Sequence, residues 1–230
     1  MPSDEAVDVI SKALSTVPYL TDLDPALIAA IAEQTKRQSF DAGQVVFLEG
    51  DQNVALYVVQ SGWLKAVKLS ADGREQVLHF IGPGEAFNAI GVLVQSTNPA
   101  SVIALEPSVV WTIQQRAMLD LIDRHPPLGR VLIQRLAERV QQLIHMVEDF
   151  SLRTIEARLA RYLLQQAKEE QMQRPGWATQ AELANRLGTV PDVLNRALRG
   201  LEKDNLIHVE RHQIQILDFH GLEARAKLPK

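Results

Sequence analysis

Residues 179–201, TQAELANRLGTVPDVLNRALRGL, constrain the fold more than any other stretch. Thr179 can accept from the free N–H groups at a helix start, and Glu182 three residues on can reach back, the pattern of a capping box. Leu183, Ala184 and Leu187 then fall at helical spacing, and Gly188 supplies a residue that tolerates a left-handed turn. Pro191 has no N–H to lose at the first position of a second helix, and Leu194, Ala197, Leu198 and Leu201 give that helix an apolar stripe. The sequence therefore predicts two short helices joined by a tight turn. Asp192, Asn195, Arg196 and Arg199 are left on the outer side of the second helix, in the half that meets base edges when such a helix enters the major groove. An ordinary helical hairpin with solvated charges is the plainer reading of the same residues.

The chain has 230 residues, enough for two small domains with apolar cores. It contains no cysteine, which excludes disulfides, thiolate zinc sites and an iron–sulfur cluster. No run of about 18 apolar residues is present, and the N-terminal stretch is acidic rather than a basic signal sequence, so the expectation is a cytoplasmic protein without a membrane partner. The net charge of −4 divides unevenly. Residues 1–150 carry 11 basic and 18 acidic side chains, net −7, whereas residues 151–230 carry 13 and 10, net +3. A basic second half suits phosphate contacts, and an acidic first half keeps the remainder off nucleic acid.

Along the chain, residues 4–14 and 24–36 are predicted as helices, the second opened by Asp24 as cap and Pro25 at the first position. From Phe40 to Ile113 short β-rich runs alternate with glycine-containing turns at roughly ten-residue intervals, which predicts an antiparallel sandwich or barrel. A long helix is predicted from Pro126 to about Phe150. Its Ile133, Leu136, Val140, Leu143, Val147 and Phe150 recur at alternating intervals of three and four, a seam that seeks a second helix and predicts a homodimer interface. Leu132, Ile144 and Met146 flank the seam as candidates for packing on the chain's own sheet. After a hinge at 149–151, a helix over 154–170 opens the second domain, a polar loop QMQRPGW follows, and LIHVERHQIQILD predicts two short strands around Arg211 and His212. The expected organisation is 1–125, a sensor roll with N-terminal helices; 126–150, the dimerisation helix; and 151–230, a winged helix-turn-helix.

This order of parts resembles the cyclic-AMP receptor protein/FNR superfamily of bacterial transcription regulators. The family-like residues in the roll are Gly43, Gly50-Asp51, the run from Leu56 to Val59, Ser61-Gly62, Asp72-Gly73-Arg74-Glu75 and Pro83-Gly84-Glu85. In the second domain they are Ala157-Arg158-Leu159-Ala160, Leu183-Ala184, Leu187-Gly188, Arg196-Ala197-Leu198, Leu201-Glu202 and Leu206-Ile207. The resemblance implies an α+β fold: a cyclic-nucleotide-binding-like antiparallel β-roll, a long dimerisation helix and a C-terminal winged helix-turn-helix. It also implies a dimer on double-stranded DNA with a pseudo-palindromic site, and RNA polymerase as a further partner. The family's base-reading pattern of Arg, Glu and Arg becomes Pro191, Asp192 and Arg196 here. Thr179, Gln180, Thr189, Asn195, Arg199, Arg211 and His212 complete the candidate DNA surface.

The signal site departs from the family. Where a cyclic-nucleotide binder has Gly-Glu to hold the ribose, this chain has Asn88-Ala89, and where it has Arg-Ser to clamp the phosphate, this chain has Asn98-Pro99. Without that carboxylate and that cation, cyclic AMP is not expected to bind. The candidate effector pocket comprises His79, Glu85, Asn88, Ala89 and Asn98, for another small signal or for none. His79 lies on the same side of its strand as Val77 and Ile81 and is expected to point into the roll. There it could ligate haem in an alternative nitric oxide or carbon monoxide sensor, although a lone His on an apolar strand face more often serves as a hydrogen-bonded core residue. A second alternative, of another class, is a cyclic-nucleotide-type module acting on a protein partner. The six histidines are dispersed, with no metal-binding spacing, no nucleophile elbow and no phosphate loop, which argues against catalysis and against a metal site.

Overall fold

The computed structural model describes residues 4–227 except 16, 18, 19, 22, 95, 168–170 and 174. The chain divides into two compact units, Met1–Ala71 with Leu78–Val140 and Asp72–Val77 with Gln141–Lys230. In order, the elements of the first part are α1 (Asp4–Leu14), α2 (Pro25–Glu33), β1 (Thr35–Phe40), β2 (Val45–Phe47), β3 (Ala55–Ser61), β4 (Leu64–Leu69), β5 (Glu75–Ile81), β6 (Ala86–Phe87), α3 (Ala89–Val94), β7 (Ser101–Ala104), β8 (Ser108–Gln114) and α4 (Gln115–Arg124). The long α5 (Pro126–Leu152) runs from the first unit into the second. There follow α6 (Ile155–Gln166), β9 (Gln171–Gln173), α7 (Gln180–Leu187), α8 (Pro191–Lys203), β10 (Ile207–Val209), β11 (Gln213–Ile216) and α9 (Phe219–Ala226).

Among the described residues the roll consists of two four-stranded antiparallel sheets, ordered β1-β8-β3-β6 and β2-β7-β4-β5. The run from Ala55 to Val59 is buried on both faces, which explains an apolar stretch without polar alternation. Ala55, Tyr57 and Val59 face the roll interior with Phe47, Leu64, Ile81, Phe87 and Val102. Leu56 and Val58 face the other way, onto a helical layer with Leu27, Ile31, Met118 and Leu128. Inside the roll the rings of Tyr57 and Phe87 stack with centroids 5.0 Å apart, and Phe47 leans on Tyr57 at 5.2 Å. Gly62 has φ +82°, and a Cβ there would fall 2.6 Å from the Pro107 carbonyl oxygen, so the β3–β4 turn requires glycine.

The second unit has its own core of Leu159, Leu163, Leu183, Leu194, Leu201, Ile214 and Leu222. Arg225 on α9 pairs with Glu156 at the start of α6 and with Asp204 after α8, and these two carboxylates hold the guanidinium charged by raising its pKa further. Several sequence-based boundaries change. The second helix ends at Glu33 rather than residue 36, because Thr35 and Lys36 pair with β8 as the start of β1. The long helix continues to Leu152, past the expected end at residue 150. The next helix ends at Gln166, and residues 168–170 of the expected span lie outside the described residues. The polar loop QMQRPGW contains β9, which pairs with β11. The unexpected α4 has no side-chain cap to announce it.

Candidate nucleic-acid interface and signal site

The helix-turn-helix forms from the residues that predict it. Thr179 caps α7, its hydroxyl accepting from the Glu182 N–H at 3.2 Å. Gly188 ends the helix in the left-handed region at φ +66°, donating its N–H to the Ala184 carbonyl. Pro191 opens α8. With about 100° of rotation per residue, Leu194, Ala197, Leu198 and Leu201 share one buried face of α8, and Asp192, Asn195, Arg196 and Arg199 share the opposite arc. Arg196, Arg199 and Asp192 are exposed, and Asn195 is half-buried.

The wing is a hairpin of β10 and β11 in register Ile207–Ile216 to Val209–Ile214, closed by the Glu210 N–H donating to the Gln213 carbonyl at 2.9 Å. Arg211 and His212 occupy its exposed tip. Thr179 and Gln180 are also exposed and Thr189 is half-buried in the turn. This places donors on a helix face, a helix start and a wing, the arrangement that combines base contacts with phosphate contacts.

On α5 the expected seam splits by exposure. Ile133, Val140 and Val147 are exposed, whereas Leu136, Leu143 and Phe150 are half-buried. Leu132 and Met146 are buried, Leu132 within the helical layer of the first unit. Ile144 is not, and at 60% exposure it joins Ile133, Val140 and Val147 in one apolar stripe, because four residues from Val140 is the same side of the helix. Phe150 carries the Arg158 guanidinium over its ring at 5.1 Å.

The effector candidates fall into two pairs. Asn88, in the left-handed region at φ +67°, donates through Nδ2 to the Ala55 carbonyl at 3.0 Å and to Asn98 Oδ1 at 2.8 Å. Asn98 is almost fully buried, its backbone N–H donates to the Asp51 carbonyl, and its Nδ2 has no partner among the described residues. Ala89 begins the short α3. The second pair is His79 and Glu85, with Nε2 3.2 Å from Oε2. His79 is not enclosed in the core as expected but is half-exposed, its ring meeting Glu85, although Val77 and Ile81 on the same side of β5 are buried.

Burial pushes the Glu85 carboxyl up, yet the hydrogen bond and charge of His79, the Gly82 N–H at 3.2 Å and the charge of Arg135 outweigh it and hold the group below its ordinary value. A carboxylate with a lowered folded-state pKa stabilises fully above its unfolded pKa and loses that contribution as pH falls through the folded value. The melting temperature should therefore drop less steeply in Glu85→Gln than in the wild type as pH is lowered from neutrality through the carboxylate range. Parallel melting curves would contradict the assignment.

Arg158 stands outside the exposed interface, among the buried contacts behind it. It lies on the buried face of α6, between Ile155 and Leu159, and a charged residue amid that apolar spacing was the available signal. Its guanidinium donates to the carbonyls of Leu187 at 2.9 Å, Arg153 at 3.2 Å and Phe150 at 3.3 Å.

A sheet roll followed by a winged helix-turn-helix with an exposed reading face defines a class of protein, the DNA-binding regulator with an attached sensor-type domain. Residues 37–125 match the model of the cyclic nucleotide-binding domain, and residues 157–225 match that of the Crp-like helix-turn-helix domain. The chain belongs to the cyclic-AMP receptor protein/FNR superfamily of transcription regulators and is a DNA-binding transcription regulator. It is 26% identical over 224 residues to the CRP-like cAMP-activated global transcriptional regulator of Mycobacterium tuberculosis, covering 95% of this chain and 100% of that one. Among solved structures it is similar to FixK2 from Bradyrhizobium japonicum, with a TM-score of 0.76 at 18% identity over 84% of this chain and 98% of that one. It is also similar to the c-di-GMP responsive global regulator CLP of Xanthomonas campestris, with a TM-score of 0.73 at 20% identity over 85% and 100%. Among the described residues no helix is long and apolar enough to cross a membrane.

Proposed function

We propose that the chain acts in the cytoplasm as a homodimer that reads a pseudo-palindromic site on double-stranded DNA and acts on RNA polymerase at the promoters it occupies. The observation that carries the dimer is the stripe of Ile133, Val140, Ile144 and Val147, four large apolar side chains exposed on one side of α5. Pairing along it gives the assembly the two-fold axis that a palindromic site mirrors. In each half-site Arg196 suits a bidentate contact to guanine, Asp192 accepts from cytosine N4, and Asn195 adds a contact, while Pro191 reads nothing. Arg211 and His212 in the wing, with Thr179, Gln180 and Thr189, serve the phosphate backbone. A module acting only on a protein partner has no need of this face.

Gel shift across a salt series tests the DNA reading: about 6–10 phosphate contacts predict a loss of roughly 10³–10⁵ in affinity between about 50 and 200 mM salt. A flat profile would refute it.

The signal differs from that of the Mycobacterium relative. Asn88, Ala89, Asn98 and Pro99 supply neither a carboxylate for a ribose nor a cation for a phosphate, so the roll responds to a small signal other than cyclic AMP, or to none. Asn98 Nδ2, buried without a partner among the described residues, is the donor such a signal would use. Haem does not fit these residues: the Nε2 atom an iron would take is engaged by Glu85. A Soret band dependent on His79 in protein titrated with hemin would reverse this reading.

A further inference from the structure

We propose that Arg158 is a positioning residue that fixes the spacing between half-sites the dimer accepts. The inference rests on the dimeric reading above. The last four carbonyls of a helix have no partner within it. Phe150 and Leu187 lie in the final turns of α5 and α7, Arg153 lies in the hinge between α5 and α6, and Arg158 donates to the carbonyls of all three. One planar side chain thus ties the end of the dimer helix to the end of the first helix of the reading motif.

Arginine is suited to this position because its five N–H donors are held in one rigid fork, whereas lysine offers a single ammonium on a flexible stem. The residue is only 8% exposed, so its charge is taken largely out of water, and the Phe150 ring and the nearby Asp149 carboxylate offset part of that cost. Around it Arg153 reaches Glu148 at 2.7 Å and Asp149 at 3.0 Å, and Arg161 reaches Asp149 at 3.1 Å, so the hinge is braced from α5 and from α6. Gly188 completes the joint, since a Cβ there would meet the Phe150 ring at 3.2 Å. A joint held at this many points leaves α8 a narrow range of directions relative to the last turns of α5, and each base pair added between half-sites turns the second site by about a tenth of a helical turn.

The test uses the full-length protein and an operator selected from random DNA by the wild type, rebuilt with its half-sites moved by one and two base pairs either way. Wild type should favour one spacing by about tenfold or more, and Arg158→Lys should flatten that preference to about threefold while binding a single half-site as the wild type does. Arg158→Met, which removes the buried charge altogether, is the second variant should the lysine fail to fold, with thermal melts run beside both. An unchanged spacing profile in a folded variant overturns the proposal. An equal loss of affinity at every spacing and at the single half-site also overturns it, by reducing Arg158 to a residue that only stabilises the domain. If wild-type protein sediments as a monomer and selects no paired half-sites, the dimeric reading itself fails, and that result is distinct from either.

Discussion

The double variant Val140→Asp with Ile144→Asp is expected to be a folded monomer that binds its operator about 10²–10⁴-fold more weakly than the wild type. Both side chains are more than half exposed, so the carboxylates enter solvent in the monomer, where surface substitutions change stability by about 0.5 kcal/mol or less. In a paired seam the same positions would bring four carboxylates together at an apolar contact, a charge burial with no compensating cation. The loss in DNA binding follows from avidity, because each half-site would then be bound independently. Sedimentation velocity and gel shift on one preparation check both parts. A variant that remains dimeric, or a monomeric variant with undiminished operator affinity, removes the stripe from the account.

The second large effect is expected at Arg196. Replacing it by Ala should cost about 1–3 kcal/mol of operator binding and relax the preference at one base pair in each half-site. Its neighbour on the exposed arc, Arg199, has the same charge, and a phosphate-contacting Arg199→Ala should instead weaken all sequences alike and make the salt dependence shallower by about one contact per subunit. Selection from randomised half-sites, carried out with both variants, separates the two roles. Should Arg196→Ala select the wild-type consensus with undiminished stringency, base reading lies elsewhere on α8.

The helix-turn-helix was legible because each of its devices is local. A cap at Thr179, a left-handed glycine at 188 and a proline at 191 act within a few residues, and the structure places all three where the spacing puts them. What the sequence hid depends on distant partners. Gln171–Gln173 is a strand because β11 offers it an edge, and a single Met172 between two glutamines does not foretell that. His79 shares a side with Val77 and Ile81, yet those two are buried and it is half-exposed against Glu85, a contact that periodicity does not encode. The assignment of Ile144 to an inward flank failed for a simpler reason: on a helix with apolar residues on two sides, spacing alone does not say which side meets its own domain.

The two-faced burial of β3 has a mechanical consequence. Its alternate side chains form the inner wall of the roll and the floor of the helical layer, so one ribbon serves as a shared partition between two packed compartments. Close-packed interiors have little slack to absorb displacement, and a pleat that yields at Tyr57 must carry Leu56 and Val58 with it. Enlarging the ring cluster on one side is therefore an intervention on the helices behind it, without any atom of the two groups meeting through open space.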